Sequence, residues 1–377
     1  MVQSQVLPYL RELVGEGFSF QLITFERKGV QKPEINENIG PDIRWTPVRQ
    51  ASGFAGVVIA LFKAWVLARQ SIKKDQVELV HARSYLPAMI AALSCYGRAL
   101  PWLFDMRGFW VDEKVLKGSL RSNSAKFRFL KKIERFLLRD CTAIVSLTNK
   151  ALPRLKEISE LDVLPVHAVI PTCVDVHHFT QEVTKSRVKD ELVFGYIGSL
   201  GPGYSRDDLS LFLEYALEAL PHSRAVILSR SDITILQPLL DRLARFGGRV
   251  QCTDATYDEM PQKLSTMDVG LSFITPDHSK DASAPTKIAE YLACGVYVVS
   301  NRGIGDVDEL LGQGDVGVSV ESPVKMNSSF MSQLTANVDS VTRDRCRAFA
   351  EQHFSVEHGA AKYAEIYKRI IIKKAAV

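Results

Sequence analysis

The segment from Ser283 to Gly295, SAPTKIAEYLACG, combines helix signals with polar side chains at one end. Its spacing predicts a helix from Ser283 to Cys294 with Pro285 in the first turn, where a missing N–H costs nothing. Gly295 is the natural terminator, because glycine readily adopts the left-handed conformation that ends many helices. One face of this helix would be apolar and the other polar, as in a helix packed on a sheet.

The polar face of this helix could bind a phosphorylated ligand. Ser283, Thr286 and the Lys287 ammonium would lie beside the free N–H groups of the helix N-terminus, where the helix dipole favours an anion such as a diphosphate. Glu290, one turn deeper, could accept hydrogen bonds from two vicinal hydroxyls such as those of a ribose. The other interpretation is an amphipathic surface helix in which Lys287 and Glu290 simply pair.

Around this segment, apolar β-branched runs alternate with amphipathic stretches, which is typical of parallel sheets covered by helices. We predict an α/β protein with two Rossmann-like domains, residues 1–180 and 191–354, a polar linker at 181–190 and a packed terminal helix within 355–377. The predicted strands are 20–26, 43–48, 79–83, 101–107, 142–148 and 166–171 in the first half, and 192–200, 225–230, 249–253, 269–274, 296–300 and 316–320 in the second.

The start of the chain differs from a complete domain of this kind. It opens almost directly in a predicted helix, residues 4–14, whereas a doubly wound domain normally begins with a central strand. The first strand and the turn after it are therefore expected to be missing. A truncated gene model, a late start codon and a genuine shortening would all give this pattern.

The composition indicates an ordinary globular protein, with 46% hydrophobic and 24% charged residues. No apolar run is expected to span a membrane, because the best candidate, residues 54–62, stops at Lys63. No signal peptide is indicated, and the six cysteines are scattered singly, without the spacing of a disulfide framework or a zinc site. We therefore expect a cytoplasmic protein without a metal centre.

The N-terminal part of the chain is more basic than the rest. Up to Thr180 it carries about 25 Lys and Arg residues against about 17 Asp and Glu, which suits a phosphate-bearing substrate or an anionic membrane surface better than nucleic acid. Within residues 121–140 many cations surround aromatic and aliphatic residues. Such a helix can lie on anionic lipid, although most helices of this kind are solvated faces over a core.

The run PTKIAEYLACGVYVVSNRGIGDVDEL, which starts at Pro285, resembles the donor-binding region of family 4 glycosyltransferases, which have the GT-B fold. Three other parts resemble the same family. SQVLPYLRELVGEGFSFQLITFE is similar to the first helix and second strand of its N-terminal domain, FGYIGSLG to the opening strand and loop of its C-terminal domain, and FSVEHGAAKYAEIYKRI to its closing helix.

The resemblance implies two Rossmann-like domains that face a cleft, with the terminal helix packing back toward the N-terminal domain. It implies a hexosyltransferase of the polysaccharide-biosynthesis type, which moves a sugar from a nucleotide-diphosphate sugar to a glycan, lipid-linked or small-molecule acceptor. Retention of anomeric configuration and independence of metals and cofactors are implied as well. With a lipid-linked acceptor, the expected location is the inner face of the membrane.

The resemblance also assigns donor-binding roles. Family 4 enzymes usually bind the donor with two glutamates seven residues apart, the first at the sugar and the second at the ribose. In this sequence the second is Glu290, whereas Ser283 stands at the first position. The ribose contact therefore carries over, and the usual contact to the sugar hydroxyls does not.

A second departure concerns the diphosphate. Many relatives place an Arg and a Lys after the first strand of the C-terminal domain, but here that loop reads GSLGPGYSRDD. Lys287, Arg230 or the backbone around Ser199 and Gly201 would then hold the diphosphate.

Polar residues also follow two predicted strands of the N-terminal domain, in HARS and DMRGFWVDE. Relatives often carry a histidine near the donor sugar where this chain has Asp105, which implies a general-base or electrostatic role for Asp105. Arg107 could neutralise charge on the departing diphosphate, and His81 and Arg83 could bind donor or acceptor. Alternatively, Asp105 and Arg107 pair to order the loop, and His81 is a satisfied core histidine.

Two other classes of protein fit the same sequence. The GT-B fold also hosts nucleotide-sugar epimerases, and a degenerate binding protein would fit Ser283 in place of a glutamate. The glycines between Gly195 and Gly201 repeat a pattern used to bind NAD, but the Tyr-x-x-x-Lys pair of such dehydrogenases is absent. Asp306 and Asp308 imitate a metal-binding D-x-D motif, yet their place at a helix start indicates N-terminal helix charge.

Overall fold

The computed structural model describes residues 2–26, 40–50, 53–180, 191–321, 327–341 and 343–375. These residues form two compact units, Met1–Pro171 together with Gly359–Val377, and Thr172–His358. The paired strands of both units run parallel, and most are connected by helices. The predicted α/β class is confirmed.

The first unit contains a two-stranded and a four-stranded sheet. Its elements begin with two helices where a single one, residues 4–14, was predicted. In chain order they are α1 (Val2–Gln5), α2 (Leu7–Gly15), β1 (Phe20–Glu26), β2 (Ile43–Arg49), α3 (Gly53–Lys74), β3 (Val80–Arg83), α4 (Tyr85–Cys95), β4 (Trp102–Asp105), α5 (Trp110–Leu116), α6 (Ala125–Asp140), β5 (Ala143–Ser146), α7 (Ala151–Ser159) and β6 (Val166–Val169).

The second unit is built on one six-stranded sheet. Its elements are β7 (Val193–Ile197), α8 (Arg206–Ala219), β8 (Arg224–Leu228), α9 (Ile233–Leu243), β9 (Val250–Thr253), α10 (Met260–Ser265), β10 (Val269–Ser272), α11 (Thr286–Ala293), β11 (Tyr297–Asn301), α12 (Val307–Gly314), β12 (Gly317–Val320), α13 (Ser328–Ser340), α14 (Arg343–Phe354) and α15 (Val356–Ala375). The strand order is β12-β11-β10-β7-β8-β9. Central strands such as β7 and β10 are buried at every residue, because helices cover both faces of a parallel sheet.

Every predicted strand has a counterpart, usually shorter by one or two residues at its ends. The difference bears on the site in β4, which ends at Asp105 instead of continuing to Arg107. Arg107 therefore lies in the loop beyond the strand.

The units divide the chain at Pro171, earlier than the predicted boundary at Thr180. Hydrogen bonds explain the difference, because the Arg347 guanidinium of α14 donates to the carbonyl oxygens of Val176, at 2.7 Å, and Phe179. Residues 172–180 are thus part of the second unit. The predicted linker at 181–190 lies outside the described residues, and α15 contributes its residues from Gly359 onward to the first unit, as expected for a terminal helix that packs back.

One predicted helix limit and the predicted end of one apolar run need correction. α11 begins at Thr286, not at Ser283, because Pro285 is extended and only precedes the helix.

Lys63 does not end the apolar stretch of α3, since a single lysine is easily carried on the outer side of a helix. The part Ala55–Lys74 is long and apolar enough to cross a membrane, and 17% of its most apolar stretch is buried. However, α3 contacts β1, β2 and α4. It therefore packs within the first unit like the other helices there.

The strand order of the first unit is interrupted. In the described part of the chain, β1 pairs with β2 alone and β3 pairs with β4 alone. One edge of β1 and one edge of β3 therefore lack a strand partner.

Candidate functional site

The strand order of the second unit reverses between β7 and β10. From β7 the chain builds outward through β8 and β9, and then it returns to place β10, β11 and β12 on the other side. Open parallel sheets bind ligands beyond the carboxyl ends of the strands at such a reversal. The loop after β7 and the segment that leads from β10 into α11 both start there.

Tyr291 fixes α11 beneath this point. Its fully buried hydroxyl accepts a hydrogen bond from the N–H of Ile197 at 3.0 Å and shares its own proton between the carbonyl oxygens of Gly195 and Leu271, at 3.2 and 3.3 Å. At the other end, Gly295 has the positive φ of 73° that terminates the helix as predicted. The helix is therefore held rigidly against β7 and β10.

Lys287 is the most unusual residue of this helix. It is 6% exposed, and its ammonium nitrogen lies 4.0 Å and 4.5 Å from the ring centroids of Tyr196 and Tyr204. Within the described residues the nitrogen has no hydrogen-bond acceptor. Burial lowers the pKa of Lys287 to about 7, although the charge of Glu290 opposes this shift. Because a buried ammonium without an acceptor is unfavourable, an incoming anion would stabilise it.

The loop after β7 approaches this ammonium closely. Gly198 has a φ of 105°, and a Cβ atom at this position would lie 3.6 Å from Lys287 Nζ. The loop is held in place because the N–H of Thr275 donates to the carbonyl of Gly203 at 3.1 Å. Ser199 and Gly201 thus belong to a loop that borders Lys287, and their contact with a diphosphate stays a prediction.

Glu290 lies half-buried on the same helix. Burial raises its pKa to about 7, against the opposing effect of the Lys287 charge. Its charge also contributes, after burial and Asp175, to a raised pKa of Tyr257. The structure therefore brings Lys287 and Glu290 together in one poorly solvated environment.

The N-terminus of α11 suits an anion better than that of α8. The first turn of α8 carries Asp207 and Asp208, whereas the first turn of α11 has no acidic residue. No acidic residue of the first turn therefore opposes the positive end of the α11 dipole. Thr286 is the first residue of the helix, while Ser283 lies before it, with its N–H donating to the carbonyl of Lys280 at 3.0 Å.

Arg230 follows β8 and is exposed. Its guanidinium donates to the carbonyl oxygen of Ala255 at 2.8 Å, which ties it to the neighbouring loop. Arg230 retains further donors for a ligand.

The four predicted residues of the first unit form one cluster around Asp105, which is fully buried. Asp105 Oδ2 accepts from the hydroxyl of Tyr363 at 3.0 Å and lies 3.3 Å from Arg83 Nη1 and 3.4 Å from His81 Nε2. Arg107 Nη1 lies 3.6 Å from Oδ1. Asp105 and Arg107 are therefore paired, as the alternative interpretation of the sequence proposed.

The charge of Asp105 is strongly stabilised. Burial would raise its pKa, but Arg107, Arg83 and His81 together hold the pKa of this carboxyl well below its usual range. A fully buried carboxylate with so low a pKa is a poor general base, because a base works best with a pKa near the working pH. The catalytic roles of Asp105 and Arg107 stay predictions. His81 Nδ1 lies 2.5 Å from the Tyr367 hydroxyl, and its Nε2 faces Asp105 without a hydrogen-bond partner among the described residues.

Sequence reasoning missed four tyrosines that shape these sites. Tyr196 and Tyr204 enclose Lys287, and Tyr363 and Tyr367 contact Asp105 and His81. Tyr196 and Tyr204 flank the GSLG loop in the sequence, so their closeness to a predicted ligand-binding loop could have indicated that they belong to the site. The spacing of Tyr363 and Tyr367 indicated only a packed helix, because their partners lie more than 250 residues away along the chain.

Comparisons with known proteins identify a family for the first half of the chain and a fold for nearly all of it. Residues 2–186 match the family described as glycosyl transferase 4-like domain. No protein of curated function matches the chain at the level of sequence.

Solved structures show the same fold over nearly the whole chain. Sucrose-phosphate synthase from Thermosynechococcus elongatus has a TM-score of 0.72 at 15% identity, over 97% of this chain and 93% of the other. A glycosyltransferase from Rickettsia africae has a TM-score of 0.67 at 16% identity, over 94% and 99%. HepE from Anabaena, solved with UDP and glucose, has a TM-score of 0.63 at 14% identity, over 93% and 99%.

Two parallel-sheet units and the likeness to these solved structures define the GT-B fold, and the family match of residues 2–186 indicates a glycosyltransferase with that fold. Within that class, residues 2–186 form a glycosyl transferase 4-like domain.

Proposed function

We propose that this enzyme binds a nucleotide-diphosphate sugar on the second unit and transfers the sugar to a glycan, lipid-linked or small-molecule acceptor. The observation that carries the proposal is the buried ammonium of Lys287, which has no acceptor among the described residues and lies in the first turn of a helix without an acidic residue there. A diphosphate would supply the missing counter-charge and accept hydrogen bonds from the first N–H groups of α11.

The rest of the donor follows from this placement. The ribose hydroxyls would donate to the carboxylate of Glu290, one turn further along α11. The loop around Ser199 and Gly201 would cover the diphosphate, and Arg230 would reach it with donors that Ala255 does not use. A UDP-sugar is the first candidate, because HepE was solved with UDP and glucose.

The chemistry proposed is transfer with retention and without metal. As the bond from the sugar to the diphosphate breaks, negative charge grows on the diphosphate. The protonated form of Lys287, which the bound diphosphate favours, and the dipole of α11 stabilise this charge. Proton NMR of the product anomer tests retention. Full activity in excess chelator tests metal independence, and activity restored only by added divalent ions would contradict it.

Donor binding is the decisive test. We expect Lys287→Met to weaken UDP binding about 100-fold, since a charge-assisted contact is lost, and Glu290→Gln to weaken it about tenfold. Isothermal titration calorimetry measures both. Lys263→Met, which removes an exposed lysine of the same unit, is the matched control and should bind as wild type does. Wild-type affinity in Lys287→Met would overturn the proposal.

Incubation with donor alone separates the alternatives. A transferase slowly hydrolyses its donor, an epimerase inverts the donor sugar, and a binding protein leaves it unchanged. We expect slow hydrolysis that accelerates when the acceptor is added. An epimerised donor or an unchanged one would contradict transfer.

A peripheral position on the cytoplasmic face of a membrane is also proposed, through residues 121–140. On α6, Phe129 and Phe136 are 62% and 51% exposed, and they lie one above the other with Lys132 between them. Arg128 and Lys132 have no ion-pair partner within the described part of the chain, whereas Arg135 pairs with Glu160. An exposed face of this kind suits the surface of an anionic bilayer.

Vesicle flotation tests this contact. Wild-type protein should float with vesicles of anionic phosphatidylglycerol and not with neutral phosphatidylcholine, and Arg128→Glu with Lys132→Glu should abolish flotation. The exposed change Lys263→Glu on the second unit is the control. Flotation that the paired change leaves intact would contradict the role of α6.

A further inference from the structure

The outer side of α3 is apolar and exposed. Ala60 and Ala64 are buried in the core of the first unit. Val58, Ile59 and Phe62 are 47%, 55% and 61% exposed. At 100° per residue these three side chains fall within about 100° of one another, on the side opposite the two alanines. A single exposed residue of this kind is ordinary, but three on one helix face form a patch.

The same helix carries basic residues and no acidic ones. It contains no Asp or Glu along its whole length. Lys63, Lys73 and Lys74 are exposed, and none of them has an ion-pair partner in the described ranges. The first acidic residue after the helix, Asp75, pairs with Arg44 instead. The outer side of α3 thus combines an apolar patch with positive charges that no described acidic residue neutralises.

Trp65 lies between the apolar patch and the basic end of the helix. Its ring centroid is 5.7 Å from that of Phe62, and the guanidinium carbon of Arg69 lies 5.2 Å from it. Tryptophan rings, and basic side chains with apolar stems, are common where the hydrocarbon of a bilayer meets the headgroups. The order along α3, from apolar residues through Trp65 to cations, therefore matches the change from hydrocarbon to headgroup.

Neighbouring helices extend the apolar surface. α4 contacts both α3 and α6, so the three helices lie side by side. Leu93 of α4 and Tyr96 just beyond it are exposed, as are Phe129 and Phe136 of α6. This outer layer, formed by α3, α4 with Tyr96, and α6, carries most of the large hydrophobic side chains that are exposed in the described part of the first unit.

Charge distinguishes the surfaces that could cover the outer layer. A second copy of the chain, docked by the same face, would bring its own unpaired lysines against those of the first, which is unfavourable. An anionic bilayer offers negative headgroups above an apolar interior, so it matches both the lysines and the hydrophobic groups. The other side of α3 contacts β1, β2 and α4. The helix therefore lies in the surface of such a bilayer instead of crossing it.

We propose that α3 inserts Val58, Ile59 and Phe62 among the acyl chains of an anionic bilayer and places its lysines at the phosphate groups. This insertion rests on the peripheral position proposed above for α6, and the two helices contribute differently. α6 attracts the bilayer by charge, whereas α3 buries apolar groups in it. Because salt screens charge contacts and leaves apolar burial in place, the two contributions are separable.

Brominated lipids test insertion directly, because bromine on the acyl chains quenches tryptophans that enter the hydrocarbon. We expect vesicles of brominated phosphatidylglycerol to quench the added emission of Phe62→Trp about twofold or more. The quenching should persist in about 1 M salt, where the screening length is only about 3 Å. Ile233→Trp, at an exposed position of the second unit, is the matched control and should not be quenched. An unquenched Phe62→Trp in protein that floats with the vesicles would overturn insertion by α3 and leave the role of α6 standing.

Removal of the apolar groups tests how much they contribute. Ile59→Gln with Phe62→Gln should lower the partition coefficient onto phosphatidylglycerol vesicles about 100-fold, because two large side chains no longer leave water there. Ile233→Gln is the control and should partition as wild type does. Unchanged partition of the double variant would contradict the proposal, and wild-type protein that binds no vesicles would overturn the roles of α3 and α6 together.

Light scattering without vesicles tests the competing occupant. We expect a monomer. A wild-type dimer that the double variant converts to a monomer would assign the outer layer to a second copy and overturn the proposal. If the double variant fails to fold, the quenching of the conservative change Phe62→Trp decides.

Discussion

The two units each bury a charged side chain, and they treat it in opposite ways. Asp105 in the first unit is surrounded by Arg83, Arg107, His81 and the hydroxyl of Tyr363. Among the described residues, Lys287 in the second unit meets the faces of two tyrosine rings and feels the charge of Glu290, but has no hydrogen-bond acceptor. One charge is balanced inside the protein, and the other is not.

We interpret this difference as the contrast between a structural site and the proposed binding site. A buried charge that is fully paired adds order to its surroundings, whereas a buried charge without a partner costs stability until a ligand arrives. The pKa values express the same contrast, because the pKa of Asp105 is held low by its partners while that of Lys287 falls to about 7 through burial. Proteins commonly accept such a cost at functional sites.

The largest effect is expected from breaking the balanced cluster. Asp105→Asn leaves Arg83 and Arg107 without their counter-charge, and we expect the free energy of unfolding to fall by about 3–5 kcal/mol. Urea denaturation of the variant and the wild type measures it. Asp112→Asn, on the nearby helix α5 and partly exposed, is the control. A loss below about 1 kcal/mol would show that the partners of Asp105 do not stabilise its charge, and the contrast with Lys287 would fail.

A smaller effect is expected from the unbalanced site, and it depends on pH. Between pH 4.5 and 7 the folded protein holds a proton on Glu290 that the unfolded chain has released, so stability falls as pH rises. Between pH 7 and 10.5 the unfolded chain holds a proton on Lys287 that the folded protein has released, so stability rises with pH. The contribution of the pair is therefore lowest near pH 7.

The double variant Lys287→Met with Glu290→Gln should remove this minimum. At pH 7 we expect it to be more stable than the ligand-free wild type by about 1–2 kcal/mol, with the difference shrinking toward both pH extremes. Urea denaturation across pH gives the profile. A variant that is less stable than wild type at pH 7 would mean that the unligated site is already satisfied.

The smallest effect concerns a neutral member of the balanced cluster. Tyr363→Phe removes one hydrogen bond to Asp105 while the arginines remain, and we expect a loss of about 1 kcal/mol in thermal or urea unfolding. Tyr9→Phe, whose ring packs edge-on against Tyr363, is the matched control. A loss as large as that of Asp105→Asn would show that the hydroxyl, not the arginines, dominates the cluster.

Local sequence patterns predicted the elements well, because they depend on short-range periodicity. The twelve strands were found with small errors at their ends, and Gly295 was correctly placed at the end of α11. The start of α11 was predicted three residues early, since Ser283 and Pro285 are equally acceptable inside a first turn and just before one. The run ending at Lys63 was misjudged, because one charge does not break a helix of this length.

By itself the sequence determined the order of strands and helices, the polar stripe of Lys287 and Glu290, and the likeness to family 4 glycosyltransferases. Only the tertiary structure decided that Lys287 is buried against Tyr196 and Tyr204, and that Asp105 is enclosed by groups from β3, the loop after β4 and α15. The physical reason is that burial and the partners of a charge depend on residues far apart in the chain. Those contacts determine whether a charged side chain stabilises the fold or is left to bind a ligand.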